Sequence, residues 1–123
     1  MITGIVTSAL EATVRIHILD ANGQSQVIDA VIDTGFAGFM SLPVSVVAAL
    51  GLPRVIRDWT QLIDGRVIPV EIHTATIIWN GTPRTIDVQA LGTCTLIGMR
   101  LLAAYDLAVL VRDGGPVSID TIP

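Results

Sequence analysis

A chain of 123 residues, 51% of them apolar, is long enough to bury a core without disulfides and is read as a single domain over residues 1–123. Every one of its seven basic residues is an arginine, and eleven acids outnumber them for a net charge of −4. That balance argues against a nucleic-acid surface, which needs clustered cations. No apolar run approaches the roughly 18 residues of a membrane helix, the start Met1-Ile2-Thr3-Gly4 has no basic leader, and the lone Cys94 fits a reducing compartment, so a cytoplasmic location without membrane contact is expected.

In chain order, residues 2–6 form a short apolar strand. Residues 13–19 alternate, with Val14, Ile16 and Ile18 on one face and Arg15 and His17 on the other, which predicts a half-buried strand. Asp20-Ala21-Asn22-Gly23 marks a turn, and residues 27–32 return as the second arm, ending at Asp33. Residues 38–42 form a further short strand. A helix is predicted over 43–50, with Pro43 at its first position and Gly51 at its end. Asp64-Gly65 joins two arms of a hairpin over 59–70, with a type I′ turn expected at its tip. A second long hairpin runs over 71–79 and 85–91 across Asn80-Gly81. Residues 95–97 lead to Gly98, 99–104 form a short helix, 107–111 a buried strand, and 117–122 a terminal strand. The sequence Asn-Gly hairpin, apolar strand, glycine and helix occurs twice, around Gly35 and around Gly98.

The chemistry concentrates at Val31-Ile32-Asp33-Thr34-Gly35. A carboxylate at the end of a buried strand is costly to desolvate and requires hydrogen bonds or a function that uses it. Gly35 permits a tight turn that brings backbone N–H groups to the carboxylate, and Thr34 places a hydroxyl beside it. Other candidates are weak. His17 and His73 lie on separate strands without a cysteine or acid at metal-binding spacing and are read as solvent-facing. No serine lies in a Gly-x-Ser-x-Gly turn, no glycine-rich loop opens a helix, and Cys94 is read as a small buried or half-buried side chain. Asp20, Asp29, Glu71, Asp87 and Asp120 are read as turn or solvated-face acids. No metal and no cofactor are expected.

Asp33-Thr34-Gly35, together with Leu96-Ile97-Gly98 leading into a short helix and with the Ser41-Leu42-Pro43 and Leu50-Gly51-Leu52 segments, resembles the retropepsin-like aspartic peptidases, in their small single-domain bacterial form. The resemblance implies an all-β fold, a closed acid-protease barrel with one or two short helices, one lobe per chain. It implies an endopeptidase acting on a peptide or protein substrate, with Asp33, Thr34 and Gly35 as its catalytic residues. Because the chain carries a single triplet, it also implies a homodimer in which Asp33 and its symmetry mate activate a water, since two carboxylates at about 3 Å share a proton. The family's mobile flap falls on Ile63, Asp64, Gly65 and Arg66, and its terminal strands, here 2–6 and 117–122, interleave between chains. Two departures stand out. Phe36 and Ala37 follow the triplet without a hydroxyl, and the Phe36 ring is expected to shield the Asp33 carboxylate from water. Met99, not arginine, follows the second glycine, with Arg100 one later. The competing reading keeps the fold and the dimer as a catalytically silent binding or scaffolding module.

Overall fold

The computed structural model describes residues 1–123. The first three strands, β1 (Ile2–Val6), β2 (Ala12–Leu19) and β3 (Ser25–Ile32), form an antiparallel meander. In β2, Val14, Ile16 and Ile18 are buried while Arg15 and His17 are exposed, as a period of two requires. The β2–β3 turn is held by Asp20, whose carboxylate accepts 2.9 Å bonds from the Asn22 and Gln24 N–H groups. The Gln24 bond is the main cause of a carboxyl held below the ordinary aspartate range. Only Gly23, at φ 77°, takes the left-handed conformation there.

β4 (Met40–Leu42) leads into α1 (Val44–Leu50). Pro43 caps this helix from outside, at ψ 145°, one position earlier than expected. Gly51 ends it in the left-handed region at φ 67°, as helix C-termini favour.

The next two hairpins share a strand. β5 (Arg54–Gln61) pairs with the first part of β6 (Val67–Trp79), and β7 (Thr82–Ala90) with the second. The break expected at residue 70 is therefore no break. Nothing between Val70 and Glu71 can turn the chain, and the strand runs on for 13 residues while its partner changes around His73. Asn80 and Gly81, at φ 51° and 81°, both have positive φ, which is the type I′ requirement. At Asp64-Gly65 only Gly65, φ 88°, does so. That tip is instead closed by the bonds Gly65 N–H to Leu62 O and Leu62 N–H to Arg66 O, which corrects the expected turn type.

β8 (Leu96–Ile97), α2 (Met99–Leu102), β9 (Tyr105–Val109) and β10 (Pro116–Thr121) complete the chain. The ten strands lie in the order β5-β6-β7-β4-β8-β3-β2-β1-β10-β9, and a further pairing of β6 with β2 joins the sheet back on itself, so that six strands form a ring. Ile16, Ile18, Ile77, Val88 and Ile97, none more than 2% exposed, fill it. With so few aromatics, branched aliphatic side chains supply most of the burial, each about 1.5–3 kcal/mol. No helix is long and apolar enough to cross a membrane.

Two expectations about the chain ends are corrected. β1 lies between β2 and β10, and β10 between β1 and β9, all within one chain. Neither terminal strand has a free edge left to interleave with a partner. The strand expected to be buried over 107–111 is β9, an edge strand only half buried on its inner face, and Leu110 and Val111 beyond it are exposed. Its outer flank meets no neighbouring strand that could bury it.

Candidate functional site

β3 and β8 run parallel, with Val31 beside Leu96 and Ile32 beside Ile97. This register places Asp33 next to Gly98, and the Asp33 N–H donates to Ile97 O at 2.9 Å. The loop from Asp33 to Phe39 then wraps the start of α2. Gly98 N–H donates to Phe39 O (3.0 Å), Met99 N–H to Phe36 O (2.8 Å) and Arg100 N–H to Gly38 O (3.2 Å). Space decides the identity of Gly98, because a Cβ there would run into the Gly38 carbonyl oxygen and would stand 2.6 Å from the Phe36 ring. The two halves of the internal repeat thus meet at this pair of glycine-containing turns.

Within the loop, Asp33 is half buried, and its Oδ1 accepts a 2.9 Å bond from the Gly35 N–H. The turn expected of Gly35 is the one observed. Thr34 is exposed, and its hydroxyl makes no hydrogen bond inside the chain. The Phe36 ring lies against Gly38 and Gly98, where a Cβ on either would stand within 2.7 Å of it. Phe36 also lines the cleft beside this loop. The turn sets the direction of this ring: Phe36 N–H bonds back to Asp33 O, and the side chain lies in the space that Gly38 and Gly98 leave. Phe39 is flanked by the guanidinium groups of Arg84 and Arg100, 5.5 and 5.8 Å from its ring centre, a cation–π arrangement that ties β7 and α2 to the loop.

An open cleft of about 550 Å³ adjoins this loop. One wall is Gly35 to Met40; another is Asp58, Trp59, Thr60 and Gln61 of β5, with Ile72, Asp87, Gln89 and Arg100 completing the lining. The cleft is polar on the arginine and aspartate side and aromatic at Trp59, which is 68% exposed. Ile63, Asp64, Gly65 and Arg66 are not brought to it within one chain. They form the hairpin tip beyond, where Ile63 is fully exposed and Arg66 Nε reaches Asp64 Oδ2 at 2.7 Å. Sequence reading missed the β5 arm as a wall. Its signal was Trp59, the one aromatic residue of β5.

A second cavity of equal size lies between α1 and the β5–β6 hairpin and does not touch the Asp33 loop. At its edge His73 is buried, its Nδ1 donating to Leu52 O at 2.9 Å and its Nε2 3.4 Å from Glu71 Oε2. The solvent-facing position expected for His73 is therefore corrected: on β6 it shares the inward phase of Ala75, Ile77 and Trp79. Glu71, in turn, is no simple solvated acid. The His73 contact, then Arg57 and Arg54, hold its carboxyl below the ordinary glutamate range. A carboxyl depressed on folding stabilises the fold above its unfolded value and loses that contribution as pH falls through the lower folded value. Glu71→Gln is thus expected to narrow the gap between the melting temperatures of wild type and variant as pH is lowered into that acid window, measured by thermal melts at several pH values. Cys94 is exposed, not buried, since it lies in the irregular turn between β7 and β8.

No family model matches the sequence, and no curated protein matches it. Among solved structures, that of a retropepsin-like aspartic protease from Rickettsia conorii superposes on 99% of this chain and 91% of its own, with a TM-score of 0.60 at 15% identity. The fold is retropepsin-like. Within it, the paired strands β3 and β8, the loop locked around Gly98 and the overhanging β5–β6 hairpin are parts of one arrangement, and the all-β architecture with two short helices is the one expected from the sequence.

Proposed function

We propose that the chain is an aspartic endopeptidase that works as a homodimer, each copy a single domain over residues 1–123 contributing one Asp33. The observation that carries this reading is the Asp33-Thr34-Gly35 turn, fixed by Gly98 at the side of an open cleft whose far wall is β5. A half-buried carboxylate with one backbone donor, Gly35 N–H, has a second oxygen left for a water. Opposed to its symmetry mate, it shares one proton across that water. The charged carboxylate takes a proton from the water as its oxygen bonds to the peptide carbonyl carbon. The protonated one donates to the carbonyl oxygen. Proton return to the amide nitrogen then lets the C–N bond break, and the shared proton is restored. No metal or cofactor takes part; Gly35 leaves the carboxylate accessible through its absent side chain, and the exposed Thr34 hydroxyl, unbonded within the chain, bonds to the loop of the other copy.

The test is cleavage of an unfolded protein across chain concentrations. Activity per chain is expected to rise with concentration and level off where sedimentation shows the dimer complete. Constant activity per chain into the monomer range would refute the shared dyad. In this reading the β5–β6 hairpin closes over the peptide with Ile63, Asp64, Gly65 and Arg66 at its tip. A side chain on Gly65 meets nothing within 4 Å, but φ +88° strains it, at about 1 kcal/mol. Gly65→Ala is therefore expected to lower the melting temperature by about 3–6 °C and, with the tip altered, kcat/KM by up to about fivefold, the rate equivalent of that energy.

A further inference from the structure

We infer that two copies of this chain join edge to edge along β9, forming a continuous β10-β9-β9-β10 sheet centred on Leu107, with no exchange of terminal strands. The inference rests on the dimeric reading above and specifies its surface. With one Asp33 per chain, the site is incomplete unless a second copy meets it near the Asp33 loop. The sheet has two open edges, β5 and β9. β5 is a wall of the cleft, so pairing along it would set the two-fold axis beyond that wall from Asp33. β9 instead continues from α2, whose first residue is bonded to Phe36 of the loop.

The backbone of β9 is phased for such a partner. Leu110 N–H donates to Pro116 O, and Ile122 N–H to Ala104 O. In an antiparallel ladder such bonds alternate along the strand, so even-numbered residues of this strand bond to β10. The N–H and C=O groups of Tyr105, Leu107 and Val109 then point outward from the sheet, at an edge that neither proline, lysine nor bulge protects. A two-fold axis at Leu107 sets Leu107 opposite Leu107 and Tyr105 opposite Val109, pairing all three outward sets. Axes at Asp106 or Ala108 leave one set unpaired. An axis at Asp106 would also bring two aspartates face to face where Asp120 already lies opposite Asp106 within each chain, and like charges opposed across strands repel. With the axis at Leu107, each exposed Asp106 faces an exposed Ala108 of the other copy.

Because these two side chains are exposed, cysteines there report the register without disturbing the core. In a non-hydrogen-bonded pair the Cα atoms are about 4.5 Å apart, within disulfide reach. The background carries Cys94→Ser, since Cys94 is exposed. Asp106→Cys chains and Ala108→Cys chains, mixed and oxidised, are expected to give a disulfide-linked dimer that neither gives alone. Absence of cross-linking in the mixture, or equal cross-linking by either variant alone, would overturn this interface. The peptidase reading fails separately: cross-linking as expected with no cleavage of an unfolded protein by the Cys94→Ser parent would refute that reading and leave the interface standing.

Discussion

Asn in place of Asp33 is expected to abolish peptide hydrolysis, by at least about a thousandfold, while the chain folds and associates as before. The side chains are nearly isosteric, and the one intrachain contact of the carboxylate, the Gly35 N–H to Oδ1 at 2.9 Å, can be kept by the amide oxygen. What the amide loses is the capacity to take a proton from water and to hold a shared one. In a symmetric dimer the substitution falls on both sides at once, so no half of the dyad is left. Mixed dimers sharpen the result. If one Asp33 suffices, dilution of wild-type chains with the variant leaves activity proportional to all dimers that contain a wild-type chain. If both are needed, activity falls with the square of the wild-type fraction. Cleavage of an unfolded protein, sedimentation and far-UV circular dichroism read the three consequences separately. A variant as active as wild type would remove Asp33 from the chemistry, whereas no cleavage by either chain would favour the silent binding or scaffolding module.

The sequence made the fold legible wherever a local rule decides the structure. Alternation in β2 named its buried face, Gly51 named the end of α1, and Asn80-Gly81 named the tip of a hairpin, because each depends on a few adjacent residues. The Asp33 and Gly98 turns were legible for the same reason. What their register accomplishes was not: that Asp33 lies beside Gly98 follows from the parallel pairing of β3 with β8, a contact between residues far apart in the chain. The misreadings share this cause. His73 looked solvent-facing because the inward phase of β6 changes partway along the strand. The terminal strands looked free for a partner because their mutual pairing, Ile2 with Ile119 through Ile5 with Pro116, joins the two ends of the chain. Cleft walls are of the same kind, since Asp58 to Gln61 face Gly35 only once the ring of strands is formed.

Alanine at Gly98 is expected to destabilise the protein by about 2–4 kcal/mol and to remove activity with it. The backbone there is extended, φ −101° and ψ 175°, a conformation that any residue adopts, so the cost is one of space rather than of φ. An added methyl would meet the Gly38 carbonyl oxygen, the Phe36 carbonyl oxygen at 2.8 Å and the Phe36 ring at 2.6 Å. Two of these three obstacles are backbone atoms that accept the bonds from Met99 and Arg100 N–H. The loop cannot retreat without giving up those bonds and moving Asp33, which β8 holds through Ile97 O. Gly35→Ala provides the contrast. Its methyl would meet only Asp33 Oδ1, at 3.2 Å, so the melting temperature should stay near wild type while the carboxylate is displaced and turnover falls. A third variant separates ring from backbone as the source of the clash. Phe36→Ala combined with Gly98→Ala clears the ring and leaves both carbonyl oxygens in place. The double variant is therefore expected to melt no higher than Gly98→Ala alone, and rescue toward wild type would show that the aromatic ring, not the loop backbone, requires glycine at this position.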